Sequence, residues 1–158
     1  MGDIVFNIAK GRVNELFNRV KTNDPANSAI VMVILKTTAT DATLKDFDTL
    51  AAILAGTSVE ADFTNYARQV LTDADLAALS PDDGADSMAS AIPQITISSA
   101  GGASNNTLNK VLFCYDPDTT GGTDSDLIPL TAHDDGRTTD GNDLIWNAGN
   151  IFNATDPV

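Results

Sequence analysis

The sequence is poor in the residues that build chemical sites. It holds one cysteine, Cys114, and one histidine, His133. A single thiol excludes an internal disulfide. One Cys and one His fall short of the three or four ligands that a zinc site takes, and no HExxH, CxxC or paired-His pattern is present. GxSxG, Walker A and Rossmann GxGxxG patterns are missing too, so neither a metal nor a cofactor is expected. Cys114 lies in the apolar run VLFCY and reads as a small core residue. His133 stands in the polar stretch AHDDGRTTDGND and reads as a surface-loop residue, the alternative being a tertiary meeting with Cys114. Aromatics make up only 6% of the chain, which leaves a bound sugar little to stack on and weighs against a glycosidase-type Asp pair. No catalytic residue is expected.

Positive charge is scarce as well. Nine bases face 22 acids, a formal net charge of −13. Nucleic-acid binding rests on basic surface, so that class of partner is excluded. The longest apolar run, AIVMVIL (29–35), has seven residues and is far too short to cross a bilayer. Gly2 follows Met1, but Phe6 stands where myristoylation takes Ser or Thr. With no signal peptide in view, the protein is expected to be made and kept in a cytosol, or packaged there.

Aspartate is what the chain has in excess: 20 Asp against two Glu, Glu15 and Glu60. Asp bonds nearby backbone and favours turns and caps, so an Asp-rich chain is rich in loops. At 158 residues the chain fits one domain, 1–158, with a modest core. Charge divides it unevenly. Residues 1–22 carry four bases and two acids, whereas the remainder carries five bases and twenty acids. The segment 1–27 is therefore a candidate docking element, with Arg12, Arg19 and Lys21 as candidate partner-binding residues. A solvated helix face is the plainer alternative. Residues 28–158 form the body.

The hydrophobic pattern gives an α+β fold. Val13, Leu16, Phe17 and Val20 fall at i, i+3, i+4 and i+7 and predict a helix with Asn7 as its N-cap. SAIVMVILK predicts a central strand buried on both faces. A helix is predicted from Thr43, capped with Asp46, its stripe formed by Leu44, Phe47, Leu50 and Leu54 and its end by Gly56. Residues 63–71 weakly favour a strand. Thr72 with Asp75 predicts a short helix over DADLAALS, and PDDGADSMAS (81–90) a mobile loop. QITIS and KVLFCY predict strands, DLIPLT an edge strand because Pro129 lacks a donor, and LIW and NIF short anchors. A helical N-terminal part thus joins an antiparallel, sandwich-like sheet around one core.

YDPDTTGGTDSD (115–126) invites comparison with a calcium loop. From Asp116, template positions 3, 5, 6 and 9 fall on Asp118, Thr120, Gly121 and Asp124, but position 12, which takes a bidentate Glu, falls on Leu127. The flanks read as strands rather than helices. A polar strand-to-strand connection is the expectation.

Three stretches, DIVFNIAKGRVNELFNRV, QVLTDADLAALSPDD and VLFCYDPDTTGGTDSDLIPLTAHD, together resemble small tailed-bacteriophage proteins encoded with the head structural genes, described as capsid decoration, minor capsid or head-fibre proteins. The resemblance implies a non-enzymatic virion protein on the capsid exterior. Its partners would be the major capsid protein and copies of itself in a small cyclic oligomer, a trimer being favoured. A head-fibre, neck or tail-associated module touching host-surface glycans is the alternative. The resemblance carries over no site residues.

Overall fold

The computed structural model describes residues 2–155. Its strands are β1 (Ile4–Val5), β2 (Ala29–Thr37), β3 (Val59–Glu60), β4 (Gln69–Leu71), β5 (Pro81–Asp82), β6 (Ser87–Ile92), β7 (Ile95–Ile97), β8 (Lys110–Asp116), β9 (Ile128–Asp134), β10 (Leu144–Trp146) and β11 (Gly149–Ala154). Its helices are α1 (Val13–Lys21), α2 (Asp41–Leu44) and α3 (Leu50–Ala55). The fold is α+β and dominated by antiparallel sheet, as the pattern predicts.

β2 and β8 are the centre. They pair in register from Ala29 opposite Asp116 to Leu35 opposite Lys110. Ala29–Leu35 and all of β8 are buried, which is why both read as apolar runs without alternation. The main sheet has the order β1-β9-β8-β2-β3, with β4 also on β2. The outer edge of β2 is shared. β4 takes Ile30–Met32, β3 takes Leu35 and Thr37, and between them the Tyr66 hydroxyl accepts the Ile34 N–H at 3.1 Å. A second sheet, β11-β6-β5, and a two-stranded ribbon, β10-β7, complete the β structure. The apolar stripe of α1, Val13, Leu16, Phe17 and Val20, is buried, and α1 packs against β2, β6 and β11. The N-terminal segment therefore belongs to the core.

Several expectations are corrected. Asn7 does not cap α1. It opens a single 3-10 turn (Asn7–Ala9), and Gly11, at φ +81°, separates that turn from the helix. The helix expected from Thr43 is broken into α2 and α3. Thr43 and Asp46 make no capping box; Thr49 caps α3 instead, accepting the Ala52 N–H at 3.2 Å. The next two free donors of α3, Leu50 and Ala51, are taken by the carbonyls of Leu127 and Asp124, so tertiary bonds fix the start of this helix. Thr72 and Asp75 do meet: the Asp75 carboxylate accepts both the N–H and the hydroxyl of Thr72. They close one turn and no helix follows, since so short a segment gains little from propensity and Leu76 is drawn into the core. The expected loop 81–90 is the β5–β6 hairpin, turned where Asp82 accepts the N–H groups of Gly84 and Ala85. Of residues 63–71, only β4 is strand. β9 is not an edge strand, because β1 covers Thr131 and Ala132. Pro129 lies beyond that cover, opposite Cys114, at a register shift in the β8–β9 ladder. A bulge is one of the few places where a sheet tolerates a missing donor.

Lys110 is the least expected core residue. Its side chain is fully buried, yet its ammonium donates to the Gly2 carbonyl at 2.8 Å and pairs with Asp134 and Asp41. Removing one partner of a buried ion network leaves uncompensated charge. Lys110→Ala is therefore expected to lower the unfolding free energy by about 3–5 kcal/mol, read by urea denaturation. A loss under about 1 kcal/mol, the range of exposed pairs, would remove Lys110 from its structural role.

Candidate functional site

A recess lies where strands of the main sheet, β8 and β9, meet β6 and β11 of the second sheet and β10 of the ribbon. It has a volume of about 490 Å³, within the range of roughly 300–1,000 Å³ typical of ligand sites. Its floor is apolar: Ile92 from β6, Val111 and Phe113 from β8, and Ile151 from β11. Its lip carries Ile145, 43% exposed, and the only tryptophan, Trp146.

A rigid cluster builds that lip. Asp135 begins a turn after β9 and accepts the backbone N–H groups of Gly136 and Arg137. Its side chain is 5% exposed and binds the Arg137 guanidinium at two points, 3.0 and 2.6 Å. Arg137 also donates to the Ile145 carbonyl and lies 4.4 Å from the centre of the Trp146 ring. The indole N–H returns to Asp135 at 3.2 Å. Burial pushes the Asp135 carboxyl up, but the guanidinium and the backbone donors outweigh it and hold the group below its ordinary value. Arg137 and Trp146 are thus fixed in one arrangement, and these residue types are enriched in binding hot spots.

His133 lies on β9 rather than in a loop, half-buried, with Phe113 at its ring edge. One ring nitrogen meets Asp3 at 2.9 Å and the other meets the Thr131 hydroxyl at 3.1 Å. Thr–His–Asp in series has the connectivity of a nucleophile, base and orienting acid. Thr131 is only 1% exposed, however, so its hydroxyl lies beneath the surface that a substrate would reach. The series joins β1 to β9: Asp3 accepts both the His133 ring and the Asp134 N–H. Cys114 is fully buried three residues beyond Val111, the β8 residue opposite His133. Burial pushes its thiol up to about 12.

The carboxylates of YDPDTTGGTDSD are spent on the protein itself. Asp116 accepts the Asp118 N–H, Asp118 accepts the N–H and hydroxyl of Thr120, and Asp126 accepts those of Thr123. Asp124 binds Arg68, which also grips Glu60 through two bonds. Leu127, where the calcium template takes its last acid, is a core residue. Among the described residues no group of three or more His, Cys, Asp or Glu side chains is arranged to hold a metal ion. The N–H groups of Gly101 and Gly102 donate to Thr64 and Asn105.

Of the three basic candidates, Arg12 and Arg19 share Glu15 on the polar flank of α1, with nearly half of each side chain exposed. Lys21 instead donates to the Asp73 carbonyl at 2.8 Å. The structure does not bring them to the cleft. Nor did the sequence point to the cleft, whose residues come from five strands, β6, β8, β9, β10 and β11, and the turns beside them; the His-Asp-Asp-Gly-Arg run was its one visible fragment. No family model, curated protein or solved structure matches the chain.

The held-down carboxyls set an acid limit. Hydrogen bonds from Arg68 hold Asp124 below its ordinary 3.8 against a smaller opposing effect of burial, and Asp135 is likewise lowered. A lowered folded pKa stabilises fully above the unfolded value and is lost as pH falls through the folded one. Unfolding free energy is expected to be nearly flat from about pH 7 to 5 and to fall below about pH 4. A steep loss above about pH 5 would assign acid unfolding to other groups.

Proposed function

We propose that this protein is a non-catalytic structural component that attaches to a larger assembly, a capsid decoration or cement protein on the outer face of a phage capsid. The observation that carries attachment is the cleft: an apolar floor beneath a pre-set Trp146–Arg137 lip, the composition of a protein docking point rather than of a reaction centre. The three stretches that resemble head-gene products supply the identity of the assembly. The aspartates fit this reading, since many of them cap turns or sit in ion pairs and together they give free copies a high negative charge that keeps them apart. Self-association into a small cyclic oligomer, a trimer in the first instance, is part of the proposal.

Mass spectrometry of purified particles tests it. Many copies in fixed ratio to the major capsid protein are expected. No copies would end the reading, and a few would move the protein to a neck or tail position. Arg12 and Arg19 are available for docking through the exposed flank of α1. Arg12→Glu with Arg19→Glu is expected to lower the copies retained several-fold at low salt, and high salt to loosen the unaltered protein and so narrow that difference, because exposed charges are screened. Unchanged occupancy would leave those arginines with a helix-surface role only.

A head-fibre or tail-associated module contacting host-surface glycans is the second reading. The cleft favours it in one respect, placing Asn147, Asn150 and His133 beside an indole. A glycan array without signal would dispose of it.

A further inference from the structure

The cleft continues. A second recess of about 290 Å³ lies beside it and shares His133, Asn150 and Ile151 with it. Four consecutive β11 residues, Asn150–Asn153, line this second recess. The β11–β6 ladder shifts register between Asn150 and Phe152, so side chains do not alternate strictly there, and the recess follows this stretch of β11. Across from them lie Asp3 and both residues of β1, Ile4 and Val5. The two recesses therefore form one trench running between two strand edges. Among the described residues β11 pairs with β6 alone, and none of its backbone groups bonds elsewhere in the backbone. Six residues of strand present about 20 Å of such edge.

We propose that this trench receives an extended segment of a partner protein that adds as a strand along β11. Main-chain bonds to the β11 edge would hold it, and alternate apolar side chains would enter the floor at Ile92, Phe113 and Ile151. Charge selects the flanks of that segment. Asp3, Asp134 and Asp135 line the trench; Arg137 and the buried Lys110 offset two of them, and in a chain of net charge −13 the fitting partner carries lysine or arginine beside its apolar residues. The inference deepens the attachment reading and rests on it for the partner's origin, but the trench itself can be tested on the isolated chain.

The probe is a displayed library of random twelve-residue peptides, selected against the full-length protein. Enriched peptides are expected to alternate apolar residues and to carry Lys or Arg at their flanks. Binding should change the emission of Trp146, the only indole, and protect the amides of 149–154 from hydrogen exchange. Ile151→Glu should abolish binding. Because that buried change can also unfold the chain, Ile145→Asp, at the exposed lip, serves as the second variant and should weaken binding at least tenfold with the fold intact. Replacing the flanking Lys or Arg by Glu should weaken it similarly. Selection that yields no peptide sensitive to Ile145→Asp overturns the proposal, as do peptides that protect β4 instead, a glycan that occupies the cleft, or a dimer of this chain that buries it. Trench binding by a protein absent from particles would end the capsid reading and keep the trench. Full particle occupancy by Ile145→Asp would keep the capsid reading and end the trench's part in it.

Discussion

One buried cation holds the two ends of the architecture together. Lys110 begins β8, the strand at the centre of the main sheet, and it reaches Gly2, Asp41 and Asp134 at once. Asp134 is its cross-strand partner on β9. Gly2 is secured from both sides, its carbonyl by Lys110 and its N–H by Asp41 at 2.8 Å. With Gly2 fixed, Asp3 has one place to go, against His133 and the Asp134 N–H. β1 then follows along β9. The wall of the trench on that side exists because an ammonium is buried beneath it. A buried ion pair is weak evidence for extra stability, since apolar replacements are often as good. Here it selects one path for the N-terminal segment among many, a role that an apolar contact, having no direction, fills poorly.

A second ion network does the same for the Asp-rich connection. Arg68 grips Glu60 and Asp124, and Tyr66 donates to Glu60 at 2.7 Å while covering the β2 edge. Asp124 and Leu127 then present carbonyls to the first turn of α3. A stretch that has the look of a cation loop is in effect a clamp. Its acids cap turns, its one long-range carboxylate meets an arginine, and its backbone completes a helix end. Asp75, Asp82, Asp116, Asp118, Asp126, Asp135 and Asp140 are all such local devices.

The sequence was readable where burial is local and regular. α1 and β2 were plain because a 3.6-residue stripe and a doubly apolar run each have one interpretation. KVLFCY is plain for the same reason and QITIS by its alternation, whereas DLIPLT reads as a strand but is misplaced at an edge, and LIW and NIF read only as short anchors where β10 and β11 form. What failed was set by distant partners. α2 and α3 look like one helix until the carbonyls of Leu127 and Asp124 are in view. Thr72 and Asp75 carry a true cap signal without a helix behind it. The 81–90 hairpin was hidden by its polarity, since β6 is only half-buried and takes its place from β11 and α1. Lys110 could not be picked out at all: a lysine before an apolar strand is ordinarily the solvated end of it, and only its three partners make it a core residue. The cleft was illegible for a related reason. Its floor residues are ordinary strand positions, and the opening forms only where strands of two sheets and the ribbon meet.

That meeting point bears on why a protein of this kind keeps an open seam. Closing the gap between β1 and β11 with a strand of its own would remove two edges. The chain instead ends the main sheet with a two-residue strand, and among the described residues β11 has one neighbour. Free edges invite uncontrolled pairing between copies, and acidic side chains along the seam oppose it: Asp3, Asp134 and Asp135 line it in a chain whose overall charge is already −13. The same carboxylates that repel a second copy admit a basic segment. An edge guarded by charge rather than by covering backbone stays dormant among like molecules and open to one oppositely charged strand.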